Sequence, residues 1–115
     1  MSAAVAGGAD RRGVEVRDNR AEARYEIRQD GQLAGFAQYR LEPGRITFVH
    51  TEIEPEHEGA GLGGRLASAA LDDARARQLA VVPVCPFIAD YIRHHRDDYL
   101  DLVVPEMRAG LSNGD

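Results

Sequence analysis

Four glycines, Gly59, Gly61, Gly63 and Gly64, fall within six positions of the run EPEHEGAGLGGRL (residues 54–66), and a helical pattern starts among them. Each glycine costs a helix roughly 0.5–1 kcal/mol relative to alanine, so bare backbone here must serve the start of that helix. Leu62, Leu66, Ala70 and Ala74 recur every four residues with Ala67 and Leu71 beside them, which makes one apolar stripe. Asp73 and Arg77 form an i,i+4 pair away from that stripe. Whatever the chain folds into must put a glycine turn at the head of an amphipathic helix.

Upstream, the chain reads as a meander. VEVRDN (residues 14–19) is a short strand ending in turn residues. Asp30-Gly31 and Pro43-Gly44 then divide ARYEIRQDGQLAGFAQYRLEPGRITFVHTEI into three further runs rich in aromatic and β-branched residues. Tyr25 and Ile27 alternate with Arg24, Glu26 and Arg28, so one face of that strand is wet. Strict alternation in the last run puts Phe48, His50 and Glu52 on one side, and Thr47, Val49, Thr51 and Ile53 on the other. Downstream of the helix, LAVVPVC is short and continuously apolar, as in a buried central strand ending at Cys85. Pro83 marks an irregularity in it, and Pro86 suits the first position of a second helix, PFIADYIRHH. The fold class is therefore α+β with a mostly antiparallel sheet. Residues 1–12 read as a loose leader, 13–104 as one domain and 105–115 as a polar tail.

Composition removes several function classes. The chain has 14 basic and 19 acidic side chains, a net charge of −5, which argues against a nucleic-acid partner. No apolar run is long enough to span a membrane, and no basic-then-apolar signal segment opens the chain. Cys85 is the single cysteine, which excludes an internal disulfide and a cysteine-based zinc cluster and suits a reducing cytoplasm. His94 and His95 are adjacent and diverge by about 100° on a helix, a poor geometry for one metal, so no metal site is expected.

Three phosphate-binding patterns compete for the glycines. Gly59 and Gly64 have P-loop spacing, but Arg65-Leu66 follows in place of Lys-Ser/Thr, which leaves nothing to hold Mg²⁺. Gly59, Gly61 and Gly64 spell a dinucleotide fingerprint, but EPEHE separates them from the preceding strand and no acid ends the next one. The third is a helix N-terminus whose backbone N–H groups seat an anion directly, and its alternative is that the glycines only make a tight turn and close helix–sheet packing. His50 and Glu52, two apart on one strand face, can act as proton acceptors; Glu54, Glu56 and Glu58 add negative charge nearby. Cys85 precedes a helix start, where the dipole favours a thiolate; it is either a nucleophile or a small pocket-lining residue.

From about Tyr25 to Val103 the chain resembles the GCN5-related N-acetyltransferases, in particular their small single-domain branch. The motifs that carry the resemblance are His50-Thr51-Glu52, the block Glu58-Gly59-Ala60-Gly61-Leu62-Gly63, and Cys85-Pro86-Phe87. The resemblance implies acetyl-CoA as ligand, with its pantetheine along Thr51, Glu52 and Ile53. Its pyrophosphate would lie over Gly59, Ala60, Gly61, Leu62, Gly63, Gly64 and Arg65. It also places Cys85 near the thioester and Tyr91 within reach of the departing thiolate. Glu58 and Ala60 stand where the family often carries basic or amide side chains, so positive charge beside the pyrophosphate is missing. The helices that usually follow the first strand are expected to be absent. The implied activity is acetyl transfer to a primary amine of a small molecule, peptide or protein lysine, with Cys85, His50 and Glu52 as the candidate catalytic residues. The alternatives are a CoA-binding module without turnover and a thiol sensor working through Cys85.

Overall fold

A computed structural model describes residues 13–112; the segment read as a leader lies outside them. Five strands form one sheet in sequence order: β1 (Val14–Asn19), β2 (Arg24–Gln29), β3 (Gln32–Glu42), β4 (Arg45–Ile53) and β5 (Ala80–Pro83). The first four run antiparallel, and β5 lies parallel to β4 after the crossover through helix α1 (Leu62–Ala76). Helices α2 (Pro86–His94), α3 (Arg96–Tyr99) and α4 (Pro105–Ser112) complete the chain. The α+β architecture expected from the sequence is the one observed. No described helix is long and apolar enough to cross a membrane.

The turn residues act as their chemistry requires. Asp30 and Gly31 both take positive φ (52° and 85°), the two-residue turn that matches strand twist. The β1–β2 connection is a single 3₁₀ turn at Arg20–Glu22, capped by the Asn19 side chain. Among the described residues no α-helix precedes α1, so both early connections, and not only Asp30-Gly31, are too short to hold one.

Paired residues on neighbouring strands share a face. Tyr25 pairs with Ala37, Ile27 with Gly35, Tyr39 with Phe48, and Ala37 with Thr51. These side chains, with Ile46 and Val81, make the covered face, and Leu66, Ala67, Ala70, Leu71 and Ala74 of α1 are buried in the same core. The Tyr25 hydroxyl donates to Asp73 of α1 at 2.5 Å, which ties sheet to helix. The opposite face carries Arg24, Glu26, Arg28, Phe36, Gln38, His50 and Glu52; of these only Glu26 is buried.

Three expectations need correction. First, register slips between Gln38 and Tyr39, whose partners are His50 and Phe48, so Val49 is an extra residue on β4. A bulge resets the alternation, and Phe48 therefore shares its face with Thr51 and Ile53, not with His50 and Glu52. Second, β5 is the last strand and not a central one; beyond it lies only an isolated bridge from Val81 to Val103. It ends at Pro83, and Cys85 stands two residues later as the N-cap of α2. Third, the segment read as a polar tail carries α4, with Leu111 in the core.

Candidate functional site

Strands β4 and β5 pair from Arg45↔Ala80 to Phe48↔Pro83 and then separate. The Cys85 amide makes the last link, donating to the Phe48 carbonyl at 2.8 Å. Past the Val49 bulge, residues 50–53 of β4 pair only with β3, so their other backbone edge has no strand partner among the described residues. At Gly35 on β3, an added Cβ would lie 2.5 Å from the Glu52 carbonyl, so only glycine lets the two strands approach this closely beside the opening.

The glycine run closes the other side. After the 3₁₀ turn Pro55–His57, Gly61 is the N-cap of α1 in a left-handed conformation (φ 76°). It offers no side-chain oxygen, and the first intrahelical bond is from the Arg65 amide to the Gly61 carbonyl. The amides of Leu62, Gly63 and Gly64 are thus the unpartnered donors of the first helical turn, and no acidic residue occupies that turn. An anion laid there meets three N–H groups and the positive end of the helix dipole.

Thr51, Ile53, His57, Glu58, Gly59, Gly61, Leu62, Gly63, Gly64 and Phe87 line one groove of about 430 Å³. Cys85 is 2% exposed beneath it, its Sγ 3.3 Å from Thr51 Oγ1. The fold therefore brings together the strand, the glycine turn and the cysteine that the sequence analysis singled out. Phe87 entered the sequence analysis only within the Cys85-Pro86-Phe87 motif, with no role at the groove; it is 41% exposed and forms the wall opposite Gly63. Its place one residue after Pro86, in the first turn of α2, was the available signal.

Four other candidates stand elsewhere. Ala60 is exposed in the turn without lining the groove. Arg65 points away from it, bordering a shallow hollow with Val14, Val16, Ser68, Ala69 and Asp72. Tyr91 lies one turn further along α2, stacked on His95 with ring centroids 4.0 Å apart and close to Gly64. Burial pushes its phenol pKa up against the opposing hydrogen bond with Ser68, so the hydroxyl stays protonated. Glu52 contributes only backbone on the groove side, because its carboxylate faces the open side of the sheet.

On that open face, His50 Nε2 and Glu52 Oε2 are 2.8 Å apart, and both side chains are exposed. Phe36 lies beside them, its ring 6.2 Å from the His50 ring. The Arg24 guanidinium covers Phe36 at 4.7 Å from the ring centroid. Glu26, 3% exposed, accepts from Arg24 Nε at 2.8 Å, Asn19 Nδ2 at 2.9 Å and Arg28 at 3.1 Å. Burial pushes the Glu26 carboxyl up, but these three donors outweigh it and hold the group below the ordinary carboxylate range. No cluster of three or more metal-ligating side chains occurs among the described residues.

A family model described as GCN5-related N-acetyl-transferase matches residues 24–102. A mycothiol acetyltransferase from Segniliparus rotundus is 51% identical over 47 residues, 38% of this chain and 17% of the relative. The chain thus spans less than a fifth of that protein's length. Among solved structures, the ribosomal-protein-alanine N-acetyltransferase of Brucella melitensis biovar Abortus 2308 aligns with a TM-score of 0.48 at 23% identity. That alignment covers 66% of this chain and 60% of the other.

Proposed function

Because the chain belongs to the GCN5-related N-acetyltransferase family, we propose that it binds acetyl-CoA in the groove between β4 and α1 and transfers the acetyl group to a primary amine arriving from the open face of the sheet. The observation that carries this reading is the separation of β4 from β5 beside an uncapped helix N-terminus. One feature accepts an extended amide-bearing arm along free strand backbone; the other accepts a pyrophosphate. The residues fit the ligand through backbone rather than charge. The groove holds glycine amides and the apolar Ile53, Leu62 and Phe87, and Glu58 is its one carboxylate.

Each side of the sheet then has its own task. Thr51, Ile53 and Cys85, on the covered side, hold the thioester arm. His50 and Glu52, on the open side, meet the amine. An imidazole donating Nε2–H to Glu52 keeps a lone pair on Nδ1 for the proton that the amine sheds as its nitrogen attacks the acetyl carbon. As the carbon–sulfur bond breaks, the departing sulfur takes a proton from solvent or from the imidazolium so formed. The buried Cys85 thiol, partnered by Thr51, walls the groove in this scheme and forms no acyl bond.

The test is an acetyl-CoA titration followed by amide NMR. The expected shifts centre on Thr51, Glu52, Ile53, residues 59–65 and Cys85; their absence at saturating ligand overturns the reading. Turnover is then read by mass detection of acetylated amine. His50→Ala is expected to lower kcat about 100-fold, the usual scale of a general base, with the acetyl-CoA Kd unchanged.

A further inference from the structure

The open face of the sheet has a second set of features that acetyl-CoA binding does not use. By register its rows are Asn19–Arg24–Gln38–His50 and Arg17–Glu26–Phe36–Glu52. Extending the pairing adds Glu15, Arg28, Arg40 and Thr47, and the terminal pair Glu42–Arg45. Five arginines (Arg17, Arg24, Arg28, Arg40, Arg45) thus meet four glutamates (Glu15, Glu26, Glu42, Glu52) on this face, in a chain whose totals are 14 basic against 19 acidic. The face thus carries one arginine more than it has glutamates, on a protein that is acidic overall.

Its centre is built and not merely charged. Glu26 is buried and fully engaged, so it takes no part in proton transfer; it fixes two guanidiniums that together outnumber it. Arg24 is held over Phe36, with its side chain still 26% exposed. On the other flank of Phe36 stands His50, paired to Glu52.

Resting on the acetyltransferase reading above, we propose that the acceptor is an amine carrying a carboxylate, with the amine at His50–Glu52, the intervening chain over Phe36, and the carboxylate on Arg24 with Gln38 beside it. The geometry sets the length. Strands β2 and β4 lie two spacings apart, about 10 Å at about 4.8 Å each, and Arg24 leans inward over the middle strand. The gap left for the ligand is about 7 Å, the reach of two extended residues at about 3.3–3.6 Å each. A dipeptide, or an ω-amino acid of that length, fits; a lone α-amino acid is too short.

The experiment compares glycylglycine with glycylglycinamide, in the protein saturated with acetyl-CoA, by rate of acetylation and by amide shifts at Arg24, Phe36 and Gln38. The expected result is a KM at least tenfold lower for glycylglycine. In Arg24→Ala that advantage disappears, the KM for glycylglycine rising to that for glycylglycinamide. Arg24→Gln, which keeps packing over Phe36 and loses the charge, behaves the same way if it folds better. Equal use of both dipeptides, or an Arg24→Ala loss shared by both, overturns the carboxylate subsite and leaves the acetyltransferase reading standing. Acetyl-CoA binding with no shift at these three residues for either dipeptide overturns it too. Failure of acetyl-CoA itself to bind removes the parent reading instead.

Discussion

Gly63 gives the most direct test of why this helix begins in glycines. A Cβ built there meets Phe87 Cζ at 2.8 Å, closer than real Cβ contacts come, so Gly63→Ala forces the ring to move. Phe87 is half-exposed and can swing, at about 0.5–1.5 kcal/mol for an off-rotamer χ. Against this, alanine in place of glycine favours the helix by about 0.8–1 kcal/mol. The two terms nearly cancel, so thermal stability should change little. Gly110 in α4 is the control, since nothing lies within 4 Å of its Cβ. Gly110→Ala should gain stability by up to about 1 kcal/mol, or about 4–8 °C for a domain of this size.

Ligand binding separates the two variants more sharply. A ring displaced into the groove moves a pyrophosphate off the first-turn amides. Losing one charge-assisted hydrogen bond of about 1.5–3 kcal/mol weakens acetyl-CoA binding about 10- to 100-fold. Gly110→Ala should bind as the parent does. Removing the obstacle completes the cycle: on a Phe87→Ala background, Gly63→Ala should gain the full helix-propensity increment. Calorimetric Kd values and thermal melts of the parent, the three single variants and the Phe87→Ala/Gly63→Ala double variant suffice. The reasoning is refuted if Gly63→Ala raises the melting temperature as much as Gly110→Ala and leaves the Kd untouched, for then the glycines answer to neither ligand nor ring.

Other expectations follow from the same coordinates. Glu58 lines the groove with the wrong sign for a pyrophosphate, so Glu58→Gln should tighten acetyl-CoA binding a few-fold, most clearly at low salt. Glu26→Gln should destabilise the fold by about 1–3 kcal/mol, the worth of hydrogen bonds to a charged group. Because the folded pKa of Glu26 is depressed, its contribution is fully present above the unfolded value near 4.3 and fades as pH falls through the lower folded value. Urea melts of parent and variant should therefore converge in acid and differ most at neutral pH; a constant gap would contradict the assignment. Protein quenched during turnover should carry no acetyl group on Cys85 by mass spectrometry, and an acetyl thioester there would move the thiol from groove wall to nucleophile.

How much of this could be read from the chain depends on the kind of signal. The α1 stripe is legible because burial repeats with the helical period, and Leu62, Leu66, Ala67, Ala70, Leu71 and Ala74 are the residues buried. The Asp30-Gly31 hairpin is legible because positive φ at both positions selects for such residues. The bulge at Val49 left no mark: a valine there suits a regular strand equally well, and only pairing with β3 exposes the slip. Missing it put Phe48 on the wrong face, although His50 and Glu52 were correctly set against Thr51 and Ile53. Helix α4 was hidden for a related reason, since Met107 and Leu111 make a thin stripe that becomes a core element only against the rest of the fold. The side chain of Arg65 belongs to the same class: its neighbour glycines meet the groove, but helix phase turns it away.

That slip also bears on how so small a chain can separate two substrates. Without the bulge, alternation would carry Phe48's face onward to His50 and Glu52 and turn Thr51 away from Cys85. With it, one strand shows Phe48 to the core, Thr51 and Ile53 to the groove, and His50 and Glu52 to solvent. Val49 immediately follows the last β4–β5 pair, Phe48↔Pro83, so the change of face and the opening of the sheet occur together. On the proposed acetyl-transfer reading, a single inserted position gives both the cleft for the thioester and the base on its far side. Among the described residues no helix covers that far side, where Arg24 lies over Phe36 and Arg24 and Arg28 pair with Glu26. On the proposed reading the acceptor meets the sheet surface itself, and that is why its charge pattern is the place to look for the acceptor.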